Sequence, residues 1–132
     1  MGMELVVTSG VMVTLLEEAA RAHPQECCGL LLGEGVRVDE ARPAANVHAE
    51  PLRHFEIDPQ ALVDAFRAAR SAGPQVVGYY HSHPNGHPLP SATDCAHTGD
   101  GRVWAIVAGG AVQFYRDVGG RFEPLPTRVE PR

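Results

Sequence analysis

The chain predicts an α+β fold, a sandwich of one sheet and two helices, and three observations carry that prediction. Short runs of β-branched and aromatic residues recur along the sequence. Only two segments have the length and 3.6-residue periodicity of substantial helices. These two are interspersed among the strands rather than following each one, so sheet and helices must bury one another's apolar faces. At 132 residues, with 44% hydrophobic and 20% charged residues, one domain over 1–132 with its own core is expected. There is no internal repeat, low-complexity tract or linker.

A strand is expected near 3–7, followed by a helix near 9–22. That helix sets Val11, Leu15, Ala19 and Ala22 along one stripe and keeps Glu17, Glu18 and Arg21 off it. Strands near 27–33 and 36–42 and a loop near 43–56 come next. A second helix near 59–71 opens with Asp58 as N-cap and Pro59 at its first position, and it ends at Gly73-Pro74. Gln75-Val76-Val77-Gly78-Tyr79-Tyr80 is a β-rich run, so a buried strand is expected near 75–82 with one of its two tyrosines in the core. Pro84 stops it, Asn85-Gly86 and Pro88-Leu89-Pro90 are turn material, and Ser91 can cap a short helix carrying Asp94. Strands near 102–108, 111–117 and 121–124 complete the order, with Trp104 expected in packing.

The formal net charge of -5 offers no basic stripe, which argues against nucleic acid and anionic lipid as partners. No apolar stretch reaches membrane-spanning length and the N-terminus has no secretory pattern, so a cytoplasmic protein is the expectation. Three cysteines make a poor disulfide framework. Cys27 and Cys28 lie in an apolar run and read as small buried hydrophobes, and Cys95 neighbours Asp94.

The chemistry concentrates in His81-Ser82-His83-Pro84 and Ser91-Ala92-Thr93-Asp94. Two histidines at i, i+2 on a strand point to one side. A carboxylate returning after a short loop can complete three protein ligands, which leaves the open coordination position of a catalytic zinc. Imidazole and carboxylate suit zinc, although geometry alone leaves iron or manganese open. Asp94 is the expected third ligand; His87, in the loop, and His97, one turn beyond Asp94, are the rivals.

These residues resemble the motif of the JAMM (MPN+) metalloprotease family: a distal glutamate, His-x-His-Pro, a serine seven residues on, then x-x-Asp. Glu26, within Pro24-Gln25-Glu26-Cys27-Cys28-Gly29-Leu30-Leu31-Leu32-Gly33, is similar to the family's glutamate segment. Arg53-His54-Phe55-Glu56-Ile57-Asp58-Pro59 is similar to a segment of the short bacterial branch linked to sulfur-carrier proteins. The resemblance implies a central mixed sheet of the MPN, cytidine-deaminase-like type, flanked by two main helices with a short helix at the metal site. It implies one catalytic zinc held by His81, His83 and Asp94, and Glu26 as the base that moves a proton from water to the leaving amine.

Ser91 would donate a hydrogen bond to the developing oxyanion, in competition with its N-cap role. Arg53 and Phe55 would face substrate by resemblance, and Phe55 can equally be a core anchor. The implied activity is a zinc metallopeptidase cutting the amide or isopeptide bond after the Gly-Gly tail of a ubiquitin-like sulfur-carrier protein. A Gly-Gly tail suits a narrow groove and strand addition. Other ubiquitin-like conjugates and a non-catalytic MPN scaffold are the alternatives; a deaminase is disfavoured because the chain has no Cys-x-x-Cys.

Overall fold

The computed structural model describes residues 4–91 and 99–131. In chain order the elements are β1 (Leu5–Thr8), α1 (Ser9–Ala22), β2 (Cys28–Glu34), β3 (Arg37–Ala44), α2 (Pro59–Arg70), β4 (Gln75–Ser82), β5 (Val103–Ala108), β6 (Ala111–Val118), β7 (Arg121–Pro124) and β8 (Thr127–Glu130). The strands form a single mixed sheet of order β7-β6-β5-β4-β2-β3-β1-β8. β4 runs antiparallel to β2 and parallel to β5. Only Leu125 and Pro126 separate the two edge strands, so the sheet curls until its edges approach.

The period of two along each strand, shifted by one residue in β4 where Leu31 pairs with Gly78 and Leu32 with Val76, sorts the core onto two faces. Leu31, Val77, Tyr80, Ala105 and Val107 turn to the face covered by α1, where they meet Val11 and Leu15. Leu30, Leu32, Tyr79 and Trp104 turn to the other, where Leu62, Ala65 and Phe66 of α2 pack. Both Tyr79 and Tyr80 are therefore buried, one on each side, where one core tyrosine was expected. Trp104 packs as expected, at 4% exposure.

The cap expected for α2 forms, and α1 has one that was not anticipated. Asp58 Oδ1 accepts from the Gln60 amide at 3.1 Å ahead of Pro59, and α1 is capped by Thr8, whose Oγ1 accepts from the Val11 amide at 3.3 Å. Beyond α2 the chain turns through Ala72 at φ 67° and the Gly73 amide returns to Ala68 O at 2.8 Å. Gly29 allows a close approach within β2, since a Cβ there would lie 2.3 Å from Arg42 O and 2.4 Å from the Tyr80 ring.

Two departures from expectation stand out. β8 was not anticipated; it pairs in parallel with β1, Leu5 opposite Thr127 through Thr8 opposite Glu130. The short helix expected after Ser91 falls on residues 92–98, outside the described residues, as do Asp94, Cys95 and His97.

Candidate metal centre and catalytic cleft

His81, in β4, and His83, one residue past its end, lie on the face that carries Tyr79 and Trp104, and both are buried, His81 completely. The His83 amide bonds Val107 O at 2.8 Å, which extends the β4–β5 pairing one residue past Ser82. The two imidazoles converge, with Nε2 to Nε2 at 3.1 Å. That separation is close to the ~3.3 Å between two donors on one tetrahedral zinc with Zn–N bonds of about 2.0–2.1 Å. His83 Nδ1 lies 2.9 Å from the His87 carbonyl, an acceptor that places the ring's proton on Nδ1 and leaves the Nε2 lone pair available. His87, a rival ligand in the sequence, thus meets this site through its backbone, and its side chain is exposed.

The Phe55 ring stacks on His81, centroids 4.3 Å apart and planes 13° from parallel, and Trp104 meets His81 edge-on at 5.7 Å. Of its two readings, Phe55 takes the core-anchor position: it is 3% exposed and packs with Ile57 and Trp104.

Glu26 reaches the histidines through strand register. Cys28 pairs with His81. The Ser82 amide bonds Cys27 O at 3.1 Å, and the Cys27 amide bonds Ser82 Oγ at 2.8 Å. Continuing this antiparallel count one residue puts Glu26 across from His83, on the same face. Glu26, His83 and Ser91 line a single cleft of about 310 Å³, together with Arg53, Leu52 and Leu89. Glu26 is buried, whereas Arg53, Leu52, Leu89 and Ser91 are exposed at the rim.

A larger cavity, about 590 Å³, lies on the opposite side of His83 and Pro84 against the end of α1. Among the described residues no cluster of three or more His, Cys, Asp and Glu side chains assembles. The donor set on view is the histidine pair, and its convergence and tautomer fit a borderline cation such as zinc.

The thiols beside the site are quiet. Burial pushes the Cys28 pKa up to about 12 and raises that of Cys27. Both are free cysteines, and Cys28 Sγ points at the carbonyls of Ala44 and Ala45.

Sequence reasoning missed Asn46 as more than a loop residue. Its side-chain amide donates to Glu26 O at 2.9 Å and His54 O at 3.0 Å, and its Oδ1 accepts from the amides of His48 at 3.1 Å and Glu56 at 3.0 Å. An asparagine in a loop carries no signal of long-range bonding, so nothing local could have revealed it.

Comparisons with known proteins agree with this fold. A desampylase of Haloferax volcanii is 40% identical over 118 residues, covering 86% of this chain and 85% of the relative. A probable TtuB-protein conjugate cleaving protease of Thermus thermophilus is 37% identical over 93 residues, 70% of this chain and 62% of the relative. The CysO-cysteine peptidase of Mycobacterium tuberculosis is 33% identical over 92 residues, 68% and 62%. Among solved structures, a protein of Desulfitobacterium hafniense superposes with a TM-score of 0.84 at 25% identity, covering 97% of this chain and 94% of that one. A JAB1/MPN domain protein from Archaeoglobus fulgidus superposes with a TM-score of 0.65 at 26% identity, covering 96% and 100%. The model of one family, the prokaryotic homologs of the JAB domain, matches residues 8–118, and the chain belongs to that family.

Proposed function

We propose that this protein is a zinc-dependent peptidase hydrolysing the amide or isopeptide bond that follows the C-terminal Gly-Gly of a ubiquitin-like, sulfur-carrier-type protein. The observation that carries the reading is the opening of Glu26, His83 and Ser91 onto one cleft, with the His81 Nε2 beside that of His83. Three relatives named for cleaving such conjugates or adducts support the substrate class.

His81 and His83 would hold the zinc, with Asp94 as the third ligand. Zinc bound there would polarise the scissile carbonyl and lower the pKa of water to about 7. Glu26 takes the proton of the attacking water and hands it to the departing amine, so that one water and one amide become a carrier carboxylate and a free amine. The Ser91 hydroxyl donates to the carbonyl oxygen as negative charge develops on it. Arg53, exposed at the rim, would bind substrate, and Phe55, the other residue expected to face it, supports the reaction by holding the His81 ring.

An extended tail fits this arrangement because glycine brings no side chain to a narrow cleft. A scaffold role would need none of the buried Glu26, His81 or His83. Free Cys27 and Cys28 accord with a reducing, cytoplasmic site of action.

The deciding experiment incubates the zinc-loaded protein with a small sulfur-carrier protein bearing a C-terminal cysteine or short peptide and follows the mass of the carrier. Release of a carrier ending in Gly-Gly, abolished by a chelator, is expected. An intact fusion alongside efficient cleavage of unrelated free peptides would overturn the reading.

A further inference from the structure

We infer that Asn46 is a positioning residue that sets Glu26 and His81 relative to one another, an inference resting on the assignment of Glu26 as the base. At Glu26 the β2–β4 ladder has run out, the Ser82 amide to Cys27 O being its last bond, yet Glu26 is buried. Its peptide groups therefore need partners elsewhere. The loop between β3 and α2 supplies both: Pro51 O accepts from the Glu26 amide at 2.8 Å, and Asn46 Nδ2 donates to Glu26 O at 2.9 Å.

The same Asn46 amide grips the chain on both sides of Phe55, through His54 O at 3.0 Å and the Glu56 amide at 3.0 Å. Phe55 in turn lies on His81. With its bond from the His48 amide at 3.1 Å, Asn46 uses both donor hydrogens and accepts twice at its oxygen. One side chain thus clamps the backbone of the base and the residue that supports a metal-binding ring. The backbone bonds from Val47 to Glu56 O and from Asp58 to Ala45 O close the loop upon itself, but neither reaches Glu26. A purely structural role would be visible as lost stability. A positioning role adds displaced groups in a folded, metal-competent protein.

The test compares Asn46→Ala and Asn46→Asp with the wild type. Asn46→Asp keeps the size and the acceptor oxygen while turning a second oxygen against two carbonyls. The first measurement is the NMR shift of the His81 ring protons in metal-free protein, which the stacked Phe55 moves upfield. The second is kcat and KM on the carrier fusion at matched zinc content. The shift should move toward the unstacked value in Asn46→Ala. In both variants kcat should fall about 10- to 100-fold, the scale of a misplacement near 1 Å, with KM changed less than about twofold.

The proposal fails if kcat is unchanged, if it falls only in step with lost zinc or lost folded protein, or if the His81 shift stays at its wild-type value in Asn46→Ala. Should Asn46→Ala not fold, the kcat of Asn46→Asp decides. Full activity of Glu26→Gln would sink the underlying reading of the base, whereas the His81 shift would still report on the clamp.

Discussion

The ring of Phe55 lies face to face with that of His81 at 4.3 Å, so an apolar side chain from the loop before α2 fixes the orientation of a histidine delivered by β4. Phe55→Ala removes a buried aromatic and leaves a cavity, at a cost of about 3–5 kcal/mol of stability. Phe55→Leu fills most of that space but lacks the flat face, so it should fold well and yet bind zinc about 10- to 100-fold more weakly, as for other residues that orient a ligand. Calorimetric titration of the metal-free proteins checks the split.

His83→Ala should abolish zinc binding while leaving far-ultraviolet circular dichroism close to wild type, because the ring ends a strand whose ladder lies upstream. His81→Ala should also lose the metal, with a larger drop in melting temperature, since its ring is packed between Phe55 and Trp104. Elemental analysis of the wild type should give about one zinc per chain. Full zinc content in either variant would rule the pair out as ligands.

Glu26→Gln preserves shape and should retain zinc while losing about 100- to 10,000-fold in kcat, the usual contribution of a general base. Ser91→Ala should cost about 100- to 1000-fold in kcat if the hydroxyl serves the oxyanion. A lower melting temperature with unchanged turnover would instead assign Ser91 to capping. Loss of metal in Glu26→Gln would mark the glutamate as a ligand.

Cys27 and Cys28 should stay unalkylated by iodoacetamide at pH 8 in the folded protein and react readily in urea, as peptide mass spectrometry would show. Burial raises both thiols, so the folded state holds its protons where the unfolded chain releases them. For Cys28 this contribution to stability is fully present below the ordinary value of 9.0 and is lost as pH rises from there to about 12. Cys28→Ala should therefore flatten the decline of stability on the alkaline side.

Strong local signals made much of the fold legible. Asp58-Pro59 marks the start of α2, and the β-rich run into His81 marks β4, because each rests on residues adjacent in sequence. β8 escaped notice because Thr127-Arg128-Val129-Glu130 is short and mostly polar, and its pairing partner β1 lies at the far end of the chain. The histidine pair could be read from its spacing alone. The approach of Glu26 to His83 could not, since it follows from the register of two strands joined through β3 and α2. Asn46 was hidden for the same reason, its partners being set by how a loop folds back over the end of a ladder.

β4 has a strand on either side and a helix over each face of the sheet, and its last turn of chain delivers both histidines. Amides so placed exchange with solvent only when the whole molecule opens. The loop that carries Leu52 and Arg53 belongs to the same unit, since its Pro51 and Asn46 bond the Glu26 backbone and its Phe55 lies buried on His81. Recognition and chemistry therefore share one cooperative unit. Warming should loosen the grip on substrate and scatter the ligands over the same few degrees, so selectivity and turnover fade together.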